Sequence, residues 1–216
     1  LALAMPRAKL ADVGFAGHKL ASDGLLPPGL LGREWPTALP DYDLETAKAA
    51  LAESRYGGPE DVPPIQIYGL GAFGAETLRD TAGEALGLEI DVVEIEWTNF
   101  YERLARRELP AYELLWVADY PDPESFLWSL FASDSPDNFT GYSNPAFDEL
   151  LSEAAATLDP VALADLYDRA HRLLVDDGVV LPLLHDVRYT LSRPEVKGLV
   201  VTPLGILDFD DVWIER

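Results

Sequence analysis

The chain has 216 residues and carries a formal net charge of −22, from 38 acidic against 16 basic side chains. This charge argues against the phosphate backbone of nucleic acids and against anionic membrane surfaces as partners, but it leaves cationic ligands open. Because the chain has no cysteine, it cannot form disulfides, thiolate nucleophiles or zinc–thiolate sites. It also begins without Met, which is expected of an excised fragment rather than a complete translation product.

The first half of the sequence predicts an α/β fold. Residues 1–13 favour a short helix, and the Gly- and Pro-rich loop that follows is expected to be pinned by its own apolar side chains. Asp43 is predicted to cap a helix that stops at Gly57 and Gly58. From Pro64 onward, strand and helix patterns alternate as a βαβαβ unit, typical of a parallel sheet with covering helices: IQIYGL, AETLRDTAGEALG, EIDVVEIE, NFYERLARRE and YELLWVA.

The second half predicts two amphipathic helices and a tail. Pro145 lies in the first turn of one helix, and Asp159 is expected to cap the other. The apolar strand VVLPLLH follows and ends at His185. From residue 191 onward, short apolar runs and glycines predict strands or an extended tail.

The run from Tyr112 to Ala118 is mostly apolar and of strand length, which predicts a buried strand ending at Asp119. The prolines that follow cannot continue a sheet ladder, and such strand ends line ligand crevices in open α/β sheets. A carboxylate there, flanked by Trp116 and Tyr120, could pair with a cationic group while the rings cover apolar parts of a ligand. Asp119 could instead cap the helix that starts near Pro123, and the spacing leaves both interpretations open.

Motifs of other chemistries are missing or incomplete. The sequence has no GxSxG, HExxH or GxxxxGK[ST] motif, and GLGAFG at 69–74 lacks dinucleotide-binding spacing, so it predicts a strand-to-helix turn. The aspartates at 208–211 lack the glycine and terminal glutamate of an EF-hand and predict a solvated turn. No cofactor and no metal site is therefore expected. A hydrolase that uses Asp119 with Asp122 or Glu124 remains an alternative function.

Aromatic side chains concentrate around Asp119, and Tyr142 is among them. Of the three histidines, His185 is best placed to face a cleft because it ends an apolar strand, although a hydrogen-bonded structural role is the more common one. The predicted ligand-binding set is therefore Asp119, Trp116, Tyr120, Tyr142 and His185.

In their joint order, six segments resemble the extracellular solute-binding proteins of the dipeptide, oligopeptide and nickel type (family 5), which serve ATP-driven importers. The pattern consists of a Pro-Pro-Gly loop, an Asp-initiated helix before paired glycines, a Trp-x-x-Asp strand end and a Tyr-x-Asn-Pro helix start. The segments are LLPPGLLG at 25–32, DYDLETAKAALAESRY at 41–56, WVADYPDPESFLWSLF at 116–131, GYSNPAFDELLSEA at 141–154, LADLYDRAHRLLVDDGVVLPLL at 163–184 and the closing VKGLVVTPLG.

The resemblance implies a periplasmic-binding-protein-like type II lobe with a mixed sheet and flanking helices. Residues 1–190 would be the C-terminal ligand-binding lobe, and residues 191–216 a return segment that joins the N-terminal lobe. The implied protein is not an enzyme but an extracytoplasmic, membrane-anchored binding component that captures an oligopeptide or similar small solute for an ABC importer permease. In peptide-binding members the Asp of this pattern pairs with the ligand's α-amino group, which carries over to Asp119, with Trp116 lining the pocket. A further alternative stays open, in which this lobe is a scaffold that binds no ligand without the other lobe.

Overall fold

A computed structural model describes residues 1–71, 73–202 and 204–215. The chain begins with a 3-10 turn at Ala2–Ala4 and helix α1 (Arg7–Lys9), which continues as a π-helical turn at Leu10–Gly14. The Gly- and Pro-rich loop that follows contains β1 (Lys19–Ala21) and a 3-10 turn at Leu30–Gly32. Its Leu26 is buried in the core, as expected of a pinned loop, whereas β1 was not predicted.

Helix α2 (Leu44–Glu53) begins as predicted, because the Asp43 carboxylate accepts the Thr46 N–H at 3.0 Å. A 3-10 turn at Pro59–Asp61 leads into β2 (Ile65–Gly69). Helix α3 (Phe73–Leu78) continues through a π-helical turn at Arg79–Gly83 into α4 (Glu84–Leu86). Strand β3 (Ile90–Glu94) then pairs with β2 in parallel, and α5 (Trp97–Ala105) follows. The GLGAFG turn contains Ala72, which lies outside the described residues.

The prediction of a third strand in the βαβαβ unit is wrong. Only an isolated parallel bridge joins Tyr112 to Tyr68, and the chain then runs extended without joining a sheet. Leu115 and Val117 are 65% and 66% exposed, so the segment is packed on one face only and is not buried. The physical reason is that Trp116 and Asp119 are hydrogen-bonded to the next helix, which draws the backbone away from β2.

The three helices of the second half are α6 (Glu124–Phe131), α7 (Pro145–Ala156) and α8 (Pro160–Asp176). Asn144 caps α7 by accepting the Ala146 N–H at 3.0 Å. Asp159 caps α8 as predicted, because one carboxylate oxygen accepts two N–H groups of the first turn, at 2.8 and 2.9 Å. The apolar faces of these helices form the largest core cluster, together with Leu26 of the loop.

The remaining strands are short. Strand β4 (Leu184–Asp186) covers only the end of the predicted VVLPLLH strand and pairs antiparallel with β1. In the tail, β5 (Val196–Lys197) pairs with β8 (Trp213–Ile214), and β6 (Val200–Val201) pairs with β7 (Leu207–Asp208). Parallel and antiparallel pairings therefore both occur, in four separate two-stranded sheets across the described residues.

A second core cluster lies between α2, the β2–β3 pair and α3–α4, and a third one around Phe100 of α5 joins this part to the extended segment. Within the described ranges, no helix has both the length and the apolar character needed to cross a bilayer.

Candidate functional site

The extended stretch from Leu114 to Ala118, here called the open segment, is the candidate site's main feature. Just before it, the Tyr68 N–H donates to the carbonyl of Ala111, and the Glu113 N–H donates to the carbonyl of Tyr68, at 3.0 and 2.8 Å. No backbone N–H or C=O of the open segment has a hydrogen-bond partner among the residues that the structure describes. The open segment is therefore an unpaired stretch of backbone whose side chains alternate between exposed and half-buried as in a strand, and its free N–H and C=O groups can pair with another extended chain.

Ser125, at the start of α6, fixes the far end of the open segment. Its hydroxyl accepts the Asp119 N–H at 3.0 Å, and its carbonyl accepts the indole N–H of Trp116 at 2.8 Å. Ser125 is completely buried, so both bonds are partly withdrawn from water. Trp116 is thereby held with one face against the core cluster of α6, α7 and α8.

Asp119 itself is exposed, and its carboxylate accepts no hydrogen bond from any residue described. Of the two interpretations left open for Asp119, helix capping is wrong, because Asp122 accepts the Glu124 N–H at 2.9 Å at the start of α6. An exposed carboxylate with free lone pairs can accept several N–H donors from a ligand. The Asp119 carboxylate is thus chemically able to accept hydrogen bonds from an ammonium group.

Tyr120, which follows Asp119, is 40% exposed, and its hydroxyl donates to the Glu124 carboxylate at 3.3 Å. Partial burial of the ring, together with the charge of Glu124, raises the pKa of Tyr120. Its phenol therefore stays protonated at neutral pH, and the ring stands next to Asp119 in the chain. Trp116 and Asp119 are thus tied together through Ser125, and Tyr120 follows Asp119 in the chain.

Tyr142 is placed differently. Its hydroxyl donates to the Asp177 carboxylate at 2.6 Å, and the side-chain amide of Asn144 donates to the same oxygen at 2.9 Å. Its ring packs edge-on against Phe147, and burial, together with the bond to Asp177, raises the pKa of Tyr142. These contacts tie the start of α7 to the end of α8, which is a structural role.

His185 lies in β4 and lines a pocket of about 260 Å³ together with His171, Asp23 and Trp35. Burial lowers the pKa of His185, and the nearby charge of Asp23 partly opposes this effect. None of the three residues at the end of the open segment lines this pocket. The structure therefore does not bring His185 together with Asp119.

His171 is fully buried in α8. Its Nε2 accepts the Leu25 N–H at 2.8 Å and so pins the Pro-Pro-Gly loop to the helix. Burial lowers the pKa of His171 to about 4, against an opposing contribution from Asp168. His171 must stay neutral to accept this bond. Its role is structural, because the bond holds the loop against α8.

Glu113 is a residue of the site region that the sequence analysis missed. Its two carboxylate oxygens accept the N–H groups of Gly74 and Ala75, each at 3.0 Å. A glutamate inside an apolar run that predicts a strand is the signal that could have revealed it, because a carboxylate withdrawn from water requires partners.

The neighbouring carboxylates that a hydrolase would use have ordinary structural roles. Asp122 accepts the first N–H of α6, and Glu124 accepts the Tyr120 hydroxyl. In the tail, the Asp208 carboxylate accepts the Asp210 N–H within an exposed turn, as predicted. Among the described residues, no group of three or more His, Asp or Glu side chains could hold a metal ion.

Comparison with known proteins decides the family. Residues 1–138 match the family model described as "Bacterial extracellular solute-binding proteins, family 5 Middle". The chain belongs to this family. The resemblance drawn from the motif order is therefore confirmed.

Individual relatives of this family 5 chain agree with the assignment. The chain is 27% identical over 226 residues to the probable di/tripeptide-binding protein 5 of Pseudomonas aeruginosa (strain UCBPP-PA14), an alignment that covers 99% of the chain and 42% of the relative. Among solved structures, HbpA2 from Haemophilus parasuis superimposes with a TM-score of 0.82 at 24% identity, over 100% of this chain and 44% of that one. A dipeptide-binding protein from Pseudoalteromonas sp. SM9913, in complex with Met-Leu, gives 0.77 at 25% identity, over 99% and 44%.

These superpositions confirm the predicted fold class, part of a type II periplasmic binding protein with mixed α/β structure. The chain spans less than half the length of each of these three relatives.

Proposed function

We propose that this chain is part of the substrate-binding component of an ABC-type importer, and that it captures peptides at the open segment. The observation that carries the proposal is an unpaired strand edge ending in an exposed carboxylate, with no partner for either among the described residues. A peptide is an extended chain that begins with an ammonium group, so it matches both features. Main-chain hydrogen bonds along the edge would supply affinity, and Asp119 would set the peptide's register.

The relatives support this choice of ligand. The Pseudomonas aeruginosa relative is named a di/tripeptide-binding protein, and the Pseudoalteromonas structure contains Met-Leu. Trp116 and Tyr120 flank Asp119 and offer aromatic faces for the first residues of a peptide. Tyr142 and His185 stay predictions as ligand contacts: the Tyr142 hydroxyl is bonded to Asp177, and His185 lines a pocket that does not include Asp119.

The proposal includes a second lobe. Residues 1–190 would form the C-terminal lobe, and residues 191–216 would return to an N-terminal lobe that closes over the ligand. Support comes from the tail, where Leu191, Phe209, Trp213 and Ile214 are exposed and the short strands pair only with each other in the described residues. Several large apolar side chains exposed in one short segment fit a surface that a partner covers.

The cellular setting follows from the family. Its members are extracellular solute-binding proteins, which fits a membrane-anchored protein that delivers its ligand to an importer permease. Capture needs only reversible contacts, so no catalytic residue and no cofactor enter the mechanism. The acidic hydrolase receives no support from the relatives, and we do not propose it.

The test is a titration of the full-length protein with trialanine and with N-acetyl-trialanine. Acetylation removes the ammonium charge but leaves the main chain, so it isolates the contact with Asp119. We expect Asp119→Asn to weaken trialanine binding roughly 10- to 100-fold, as a hydrogen bond to a charged group is worth about 1.5–3 kcal/mol, and to leave the acetylated peptide unchanged.

Asp134→Asn is the matched control, because Asp134 is exposed and has no side-chain hydrogen bond in the part of the chain that the structure describes. Equal losses for both peptides would refute the ammonium contact. Binding of nickel complexes or oligosaccharides, with none of di- to pentapeptides, would refute peptide capture.

A further inference from the structure

The Glu113 carboxylate makes a long-range contact that joins the open segment to α3. Its oxygens accept the N–H groups of Gly74 and Ala75, which lie 39 and 38 residues earlier in the chain. The first N–H groups of a helix have no partner within the helix, and they carry its positive dipole end. A carboxylate that accepts two of them makes a charge-assisted, bidentate contact, which is both strong and directional.

The absence of a side chain at Gly74 makes room for this contact. A Cβ at position 74 would lie 2.6 Å from Oε1 of Glu113 and 2.7 Å from Cδ1 of Leu183. Gly74 does not have the left-handed backbone that would by itself require glycine. The glycine is thus explained by the close approach of the carboxylate.

With this contact, the open segment is held by hydrogen bonds at both of its ends. At the near end, the segment is held by the Glu113 carboxylate and by the Glu113 N–H, which donates to Tyr68. At the far end, Ser125 holds Trp116 and Asp119. The five residues between these points have no backbone hydrogen bonds of their own among those described, so the bonds at the two ends and the packing of Leu114, Trp116 and Ala118 on the core determine where this edge lies.

We propose that Glu113 is a positioning residue of the peptide site, which it serves by holding the open segment in the extended form that receives the ligand and presents Asp119. This inference rests on the function proposed above. Without the carboxylate, the near end of the segment must be ordered when the ligand binds. Ordering one or two residues weakens binding by roughly 10-fold, on the scale of backbone conformational entropy.

A purely structural role makes a different prediction. If Glu113 only stabilised the start of α3, its removal would lower the melting temperature but would not change the affinity of the folded protein. Affinity and stability therefore have to be measured on the same variants. Glu113→Ala removes the contact, Glu113→Gln keeps one accepting oxygen, and Gly74→Ala displaces the carboxylate without changing any charge.

The experiment is calorimetric titration of the full-length protein with trialanine, accompanied by thermal denaturation. We expect Glu113→Ala and Gly74→Ala to weaken binding about 10-fold, and Glu113→Gln about 3-fold, as one of two hydrogen bonds remains. Gly74→Ala disturbs the carboxylate without changing charge, but its Cβ also meets Leu183, so its affinity is compared with that of Glu113→Ala and its melting temperature is measured beside it. Glu89→Ala, at an exposed glutamate without a side-chain hydrogen bond in the described residues, controls for charge and should bind as the wild type does.

A double-mutant cycle completes the test. If Glu113 acts through Asp119, then Glu113→Ala should cost much less in an Asp119→Ala background than in the wild type. Wild-type affinity of folded Glu113→Ala and Gly74→Ala, or fully additive losses, would overturn the positioning role while peptide capture stands. Failure of the wild type to bind any di- to pentapeptide would overturn peptide capture and this inference together.

Discussion

Gly24 lies against the ring of His171, and we predict that Gly24→Ala destabilises the protein by about 2–4 kcal/mol. A Cβ at position 24 would overlap Cε1 of the ring and lie 2.6 Å from its Nε2. The ring belongs to α8 and is 1% exposed, so a displaced ring must shift into the pocket that it lines with His185. The backbone of Gly24 is outside the left-handed region, and the cost must therefore come from the clash.

The magnitude has two parts. Forcing an extra methyl group against a buried ring costs about 1–3 kcal/mol. Displacing the ring also breaks the hydrogen bond from the Leu25 N–H to Nε2, 2.8 Å in the structure, which contributes about 1 kcal/mol. Because this bond fastens the Pro-Pro-Gly loop, the neighbouring Leu26 would be less firmly held in the core.

The assay is urea denaturation followed by tryptophan fluorescence, with His171→Ala and the double variant measured beside Gly24→Ala. His171→Ala is destabilising by itself, but it removes the ring that the new methyl group meets. In that background, Gly24→Ala should cost less than about 1 kcal/mol. If Gly24→Ala costs the same amount with and without the ring, the reasoning is refuted.

Three further predictions concern stability, each measured by urea denaturation. The unfolded state takes up a proton at His171 between pH 6.5 and about 4 that the folded state does not, so stability should fall by up to roughly 3 kcal/mol as the pH drops through this window. His171→Gln should flatten this dependence, and an unchanged pH profile would contradict the assignment. Buried Asn138 donates to the carbonyls of Ala132 and Tyr142 at 3.0 and 2.8 Å, so Asn138→Ala should cost about 2–4 kcal/mol, and a loss below about 1 kcal/mol would be inconsistent with these bonds. Asp159→Ala should cost about 1 kcal/mol through the lost cap of α8, whereas Asp159→Ser, which keeps an acceptor, should cost clearly less.

The helices were the most predictable part of the fold, because their signals are local. Asp43 and Asp159 occupy the N-cap positions that the sequence indicated, and each accepts the N–H groups that such a cap satisfies. Strand β1 could not be predicted, since it is three residues long and exists through its pairing with the distant β4.

The candidate site was predictable in its residues but not in its form. Asp119 could be recognised as a free carboxylate at the end of an apolar run. The same run was misread as a buried strand, because apolar composition does not distinguish a strand packed on both faces from one packed on a single face. What decides between them is the pair of bonds from Ser125, which depend on the tertiary position of α6. The contact between Glu113 and Gly74 was equally hidden, as it joins residues 39 positions apart.

The open segment and the apolar tail differ in how they can exist without a partner. Unpaired backbone groups at an exposed edge are satisfied by water, so the open segment can stay empty at little cost and exchange its ligand reversibly. Water cannot replace a partner for exposed Leu191, Trp213 and Ile214, because apolar surface is unfavourable in water whether or not a ligand is present. A site that binds and releases a ligand is expected to expose polar backbone groups. A surface in permanent contact with a second lobe is expected to be apolar. The distribution of polar and apolar exposure in the chain therefore agrees with reversible capture at Asp119 and with lasting cover over residues 191–216.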